Sequence, residues 1–412
     1  MKLDKDQSRQ PTVRTVRSVS RSSKANFIAI VLIASIPAFL EGFDTSLFAF
    51  GSPFVLASIH QHNPALLGFV ATGYALGIAL FSIIGGRLFD KLSVKYTVMV
   101  AVGIFSIFTL LTGFVQNLTE LFAFRLLVGI GIGLFQPAIL TLLGDIFFET
   151  RGRAVSLFAV FFGGGLFFAP YIITPFLPHF EIPFIISSVM SVISLVLFQL
   201  IIPKSYKTTP KVKIGFKGVF QLNVIILSLS IFLFGIGLFG LETYFSDYLI
   251  HGLSLPKAKA ASIASMQGLS GLLMAFPLGY LADRKGRKIS VIIAAGLIML
   301  GAIGIYGGIS ISLLFIATFL FGAGRGVYVA LVAALGQDSV NDAIVGTTTG
   351  WLLLTFNIGA ILGGPIFGLF LSQGGFILAG TVGIIIPTVL SFLATLFTKP
   401  VAKNNLITSS IH

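Results

Sequence analysis
The chain contains no cysteine, so disulfides and thiolate-held metals are excluded, and the redox compartment cannot be inferred. Charge is scarce as well. Asp, Glu, Lys and Arg make up 10% of 412 residues, against about a quarter in an ordinary soluble domain. No zinc-protease helix, nucleophile elbow or phosphate-binding loop occurs, so neither an enzyme nor a cofactor is expected. His60 and His62 form a His-x-His pair with no third ligand fixed nearby, so no metal site is expected.

What fills the chain is apolar: 56% hydrophobic residues and a mean hydropathy of +1.01. Each membrane-crossing helix needs about 20 apolar residues, and twelve would use roughly 240 positions. The hydropathy pattern places spans at 27–54, 65–86, 97–115, 120–143, 154–177, 183–202, 220–245, 261–282, 289–308, 311–334, 344–371 and 376–398. The expected class is an all-α integral membrane protein.

The formal charge of +13 is explained by location. Basic residues crowd the N-terminal tail, the segments around Lys91, Arg151 and Arg284, and a lysine-rich stretch from Lys204 to Lys217, while the intervening loops hold only Lys257 and Lys259. The positive-inside rule then puts both termini and the central linker in the cytoplasm of a plasma-membrane protein. Topology accounts for the basic residues, so nucleic acid is not an expected partner. The expected partners are the lipid bilayer, a small-molecule substrate and protons, with the chain acting as a monomer.

A shift of 193 residues superimposes Gly86 on Gly279, Asp90 on Asp283, Lys91 on Arg284 and Asp145 on Asp338. The ladder Gly129, Gly131, Gly133 falls on Gly322, Gly324, Gly326 under the same shift. The chain thus reads as a disordered tail (1–25), a six-helix bundle (26–203), a linker (204–219), a second six-helix bundle (220–400) and a short tail (401–412). Two parallel repeats commonly place a substrate site between them near the midplane. The glycines are expected chiefly to allow close helix packing.

Within this apolar frame a few ionisable groups stand out. Glu41 and Asp44 lie three residues apart in the first span and share a helix face. An ion at mid-membrane costs about 2.5 to 3.5 kcal/mol even on the lenient scale, so such groups mark function or are paired. Arg125, in the fourth span, lies at a compatible depth and is the expected partner of Asp44. A carboxylate whose partner comes and goes with conformation can serve as a proton switch, and Asp44, Glu41 and Arg125 are the proton-coupling candidates. A purely structural ion pair is the alternative. Arg325, in the tenth span, offers a planar bidentate donor set suited to a substrate carboxylate; alternatively it balances an acid such as Glu242. Tyr74, Gln136, Tyr328, Trp351 and Asn357 are candidate lining residues. Glu242, Tyr244 and Asp247 cluster near the end of the seventh span, where they form either a gate or an ordinary helix end. Pro137, Pro170, Pro277 and Pro365 are expected kink sites.

The segments GRLFDKLSVK (86–95) and GYLADRKGRK (279–288) resemble the loop motif of the major facilitator superfamily. The second copy is complete, whereas the first has Ser93 and Val94 where the family has Gly and a basic residue. The resemblance implies the twelve-helix, two-bundle fold and a cytoplasmic gate built on Gly86, Asp90, Lys91, Gly279, Asp283, Arg284, Gly286 and Arg287, with Asp145 and Arg151 alongside. LEGFDTSLFAFGSP (40–53) and FRLLVGIGIGLFQP (124–137) resemble the first and fourth helices of the aromatic acid and metabolite:proton symporters in that superfamily. Asn357 stands near where that group generally has an arginine, leaving Arg325 as the candidate for the missing charge. The resemblance implies secondary active transport by alternating access, with proton-coupled symport of a small organic acid foremost. Sugar or polyol symport and drug or metabolite export are the alternatives. A channel would need a lined pore, which the layout does not offer.

Overall fold
A computed structural model describes residues 24–89, 93–146, 151–202, 219–308, 310–341 and 344–399. The expected tails and most of the linker lie outside these residues. Twelve labels suffice for the long helices: α1 (Lys24–Ser58), α2 (Leu66–Phe89), α3 (Val94–Thr112), α4 (Leu118–Ile146), α5 (Arg151–Ile173), α6 (Glu181–Ile201), α7 (Leu222–Asp247), α8 (Lys257–Lys285), α9 (Arg287–Tyr306), α10 (Ile311–Asp338), α11 (Val345–Gly380) and α12 (Ile386–Leu396). Ten helical stretches are long and apolar enough to cross a membrane, the last running from Val345 to Leu396, and Leu66–Ser82 is a shorter apolar helix. The chain is a multi-pass, all-helical membrane protein.

Every expected span overlaps a helix, but the final break is subtler than the hydropathy suggests. The turn expected at 372–375 is a lapse inside α11, where Gly374 and Gly375 leave helical geometry. Gly375 has φ of 74°, which an L side chain rarely adopts. The prolines expected to kink helices lie inside α4, α5, α8 and α11. Gly286 ends α8 and begins α9 with φ 93° and ψ 150°, a backbone region essentially reserved for glycine. At the matching place Ser93 has φ −67° and ψ 148° and caps α3 by accepting from the Tyr96 N–H. The two loop copies therefore solve one junction differently, which is why the first can dispense with glycine.

Bilayer-facing surfaces invert the soluble pattern. On α6, Ser187, Ser188, Ser191 and Ser194 are buried while Ile185, Val189, Val192, Val196 and Leu200 are exposed. Lipid offers no hydrogen bonds, so polar side chains turn inward and aliphatic ones face the tails. Several serines and threonines satisfy themselves on their own helix, as Ser191 does on the Ser187 carbonyl and Thr112 on the Phe108 carbonyl.

Between residues 24 and 202, α1 packs on α5 and α6, α4 on α2 and α3, and α3 on α6. Between 222 and 396, α7 packs on α11 and α12, α10 on α8 and α9, and α9 on α12. The two groups meet chiefly where α2 lies against α11 and α5 against α8, with α1 touching α7. Small residues set these approaches. A Cβ at Gly68 would lie 2.5 Å from the Gly364 carbonyl oxygen, and one at Gly268 would lie 2.3 Å from the Phe167 nitrogen.

Candidate transport site
Two ionic centres lie deep in the helices, one in each group. The first is built from α1, α3 and α4. Asp44 Oδ1 accepts a 2.6 Å hydrogen bond from the Thr109 hydroxyl, and Asp44 Oδ2 stands 3.7 Å from Arg125 Nη1. Both side chains are sealed, at 3% exposure for Arg125 and 1% for Asp44. The guanidinium is held against two rings, 3.9 Å from the centre of Phe48 and 4.7 Å from that of Tyr74. Such cation–π contact stabilises a desolvated arginine while leaving its N–H groups uncommitted. Among the described residues Asp44 Oδ2 and Arg125 Nε and Nη1 have no hydrogen-bond partner. The pair is close enough to attract and too far apart for a hydrogen bond.

One helical turn earlier, Glu41 Oε1 accepts a 2.6 Å hydrogen bond from Gln136 Nε2, while Oε2 is buried and unpartnered. Thr45, the next residue after Asp44, bonds back to the Glu41 carbonyl, and its hydroxyl lies 3.4 Å from that of Tyr74.

The second centre is the ion pair of Arg325 on α10 with Glu242 on α7, hydrogen-bonded through Nη2 and Oε1. Its members are 11% and 15% exposed, so unlike the first pair they reach open space. They border a cavity of about 40 Å³ between the helix groups, whose other walls include Thr45, Ser46, Ala49 and Phe50 of α1, Leu166 of α5, Ser246 of α7 and Gln267 of α8. That volume suits water, not an organic solute, so entry of a solute requires the two groups to part.

Near the α1–α2 turn the groups are fastened. The Tyr244 hydroxyl accepts from the Gly68 N–H at 2.8 Å and donates to the Ala65 carbonyl at 3.0 Å. Ser246 donates to the Phe50 carbonyl at 2.8 Å, and Thr72 reaches the Ile361 carbonyl at 3.2 Å. Asp247 pairs instead with His251, 2.5 Å away.

The structure thus brings Asp44 to Arg125, Glu41 to Gln136, Tyr74 beneath Arg125, and Arg325 to Glu242. Other sequence candidates lie elsewhere. Tyr328 is buried against α7 and α12, with its hydroxyl 2.6 Å from that of Ser230 and 3.2 Å from that of Ser391. Trp351 donates to the Ser228 hydroxyl and packs edge-on against Phe220 near the start of α7. Asn357 is buried on α11 and does not border the cavity. In the loop motif, Arg287 donates to the Ala334 carbonyl and to Asp338, both at 2.7 Å, tying α9 to α10. Arg284 is exposed, 4.9 Å from the Tyr280 ring centre, and Gly279 faces open space. Asp90 and Lys91, the surroundings of Gly86, and the side chains of Asp145, Arg151 and Asp283 lie outside the described residues.

Thr109 and Gln267 were not singled out from sequence. Thr109 is one of several buried hydroxyl residues on α3, beside Thr97, Ser106 and Thr112, and nothing in the sequence sets it apart from them. Gln267 is the residue 193 positions after Tyr74, so the internal shift itself would have found it.

An apolar helix bundle with one sealed ion pair, and a second at a cavity between two helix groups, has the layout of a membrane transporter. The chain belongs to the Major Facilitator Superfamily, whose family model matches residues 34–306 and 227–410. It is 25% identical to the gentisate transporter of Corynebacterium glutamicum over 90% of this chain and 88% of that protein. It is 24% identical to the benzoate transport protein of Acinetobacter baylyi, over 83% of each. The hexuronate transporter of Bacillus subtilis is 21% identical, over 90% of this chain and 96% of its own. Among solved structures, a point mutant of the nucleoside transporter NupG superposes with a TM-score of 0.74 at 17% identity, covering 89% of this chain and 98% of that one. A bacterial homologue of the lysosomal transporter Spinster gives 0.70 at 17% identity, covering 91% and 98%.

Proposed function
We propose that this transporter carries a small organic acid together with protons by alternating access, crossing the plasma membrane twelve times as two six-helix repeats with both termini and the linker cytoplasmic. It works as a monomer. The repeat is supported by packing as well as sequence. A Cβ at Gly129 would strike the Tyr74 carbonyl oxygen and one at Gly322 the Gln267 carbonyl oxygen; Gly131 meets Ala101 and Phe105, and Gly324 meets Ala294 and Ile298. Gly133 meets Ile78, and Gly326 meets Gly271. Each pair of neighbours is separated by the same 193 residues.

Arg325 at the cavity wall is the observation that carries the substrate class. It lies about 20 Å along α10 from either helix end, and it is the cavity's positive charge. Gentisate, benzoate and hexuronate, named for three relatives, share a carboxylate. Tyr74, Gln136 and Asn357 are kept as candidate contacts of the opened state, with Tyr328 and Trp351 supporting the surrounding bundle. Asp44, Glu41 and Arg125 form the proton-coupling site of the first repeat, and the loop-motif residues form the cytoplasmic gate. Tyr244 and its partners close the extracellular side.

A thermal-shift screen of organic acids and neutral sugars on the purified protein, followed by uptake of any hit with and without a pH gradient, tests this reading. Stabilisation by carboxylates and gradient-driven uptake are expected. Stabilisation by neutral sugars alone overturns the substrate class.

A further inference from the structure
The two ion pairs occupy unrelated positions in the repeat. Shifted by 193 residues, Asp44 and Arg125 fall on Gly237 and Thr318, while Glu242 and Arg325 fall on Ala49 and Ile132. Internal symmetry therefore explains neither. The first pair is sealed and does not line that cavity; the second lines the space between the repeats. A pair needed only for packing gains nothing from being placed in the permeation path, where burial still penalises both ions.

One guanidinium offers five N–H donors in a planar fork, enough for one well-seated carboxylate. If a substrate carboxylate takes that fork, Glu242 loses its counter-ion. Among the described residues, Arg325 on α10 is the charged group that faces Glu242. The cavity walls from α1, α5 and α8 bring Thr45, Ser46, Leu166, Ala264 and Gln267, none of which titrates, and α2, α11 and α12 do not border it. Two anions and one cation in a poorly hydrated site leave a net charge of −1, which a low-dielectric surrounding penalises heavily.

The geometry points to Glu242 as a substrate-linked proton carrier: the incoming carboxylate displaces Glu242 from Arg325, and Glu242 takes up one proton from water in the cavity. The balance is closed. Substrate carboxylate, proton, Glu242 carboxylate and guanidinium become a substrate–guanidinium ion pair and a neutral Glu242 acid, with the site's net charge zero before and after. Release reverses both events, so acid and proton leave together. The inference rests on the carboxylate reading above and adds a second proton site to the one at Asp44.

Titration calorimetry of the purified full chain in two buffers of different ionisation heat reads protons taken up per ligand bound. Benzoate, gentisate and glucuronate, all ionised at neutral pH, serve as probes. Wild type is expected to take up about one proton at Glu242 per acid bound and to bind about tenfold more weakly per pH unit as pH rises, since binding carries a proton. Glu242→Gln is expected to bind at least as tightly, with uptake lower by one proton and the pH dependence of affinity weaker by about tenfold per pH unit. Glu242→Ala carries the same expectation if the amide variant does not fold. Wild-type binding without proton uptake overturns the inference and leaves the carboxylate reading standing, as does unchanged uptake in Glu242→Gln. Loss of binding in a folded Glu242 variant also overturns it. Failure of all three acids to bind overturns both.

Discussion

Asp44 and Arg125 face each other across 3.7 Å without a hydrogen bond, because Thr109 holds one side of the carboxylate and the rings of Phe48 and Tyr74 hold the guanidinium. Each ion is positioned by something other than its partner. A contact of that kind can part and re-form without dismantling its surroundings, as a proton switch requires.

Asp44→Asn should separate coupling from transport. Uptake driven by a pH gradient is expected to fall at least about tenfold, which corresponds to 1.4 kcal/mol, while exchange of labelled for unlabelled substrate across proteoliposomes continues. Gradient-driven accumulation at the wild-type level would remove Asp44 from the mechanism.

Thr109→Val keeps the shape of the side chain and deletes its hydrogen bond to Asp44 Oδ1. A bond to a charged group contributes about 1.5–3 kcal/mol, so the melting temperature should drop by several degrees. The loss should shrink in an Asp44→Asn background, where the bond that Thr109→Val removes runs to a neutral amide oxygen and not to a carboxylate. Additive losses would show that Thr109 acts elsewhere.

Tyr244→Phe removes two hydrogen bonds to the start of α2, each contributing about 0.5–1.5 kcal/mol. The closure proposed for the extracellular side should loosen. Since the natural chain has no cysteine, a single Ser46→Cys substitution gives a clean reporter on the cavity wall. Its labelling by an impermeant maleimide from outside should quicken by about tenfold in the Tyr244→Phe background. An unchanged rate would mean that the closure rests on helix packing alone.

The loop junctions should respond unequally. Gly286→Ser forces a side chain into φ 93° and should cost about 1–3 kcal/mol. Ser93→Gly replaces one good cap with another and should cost only a few tenths of a kcal/mol. Melting of the two variants side by side checks this, and equal losses would contradict it.

Much of this was legible before any coordinates. Span positions follow from hydropathy because lipid enforces one simple rule on every crossing helix. The pairing of Asp44 with Arg125 follows because a buried ion must find another, and few were available. Glu242 stood as the alternative partner of Arg325 for the same reason. What sequence could not separate was cavity wall from bundle core. Tyr328 and Arg325 are three residues apart on one helix, yet the arginine meets the cavity while the tyrosine joins Ser230 of α7 and Ser391 of α12. Small rotations of a helix with apolar residues all round decide that outcome, and hydropathy records no preferred face. Trp351 shows the same limit: an aromatic in a span reads as lining until its indole is seen bonded to Ser228.

The Tyr244 hydroxyl grips only main-chain atoms, the Gly68 N–H in the first turn of α2 and the Ala65 carbonyl just before it. Every amino acid except proline carries both groups, so this fastening imposes almost no vocabulary on the residues it holds beyond the smallness of Gly68. Drift along that stretch can retune rates or lipid fit while the clasp persists, and its evolutionary fragility is concentrated in one phenol.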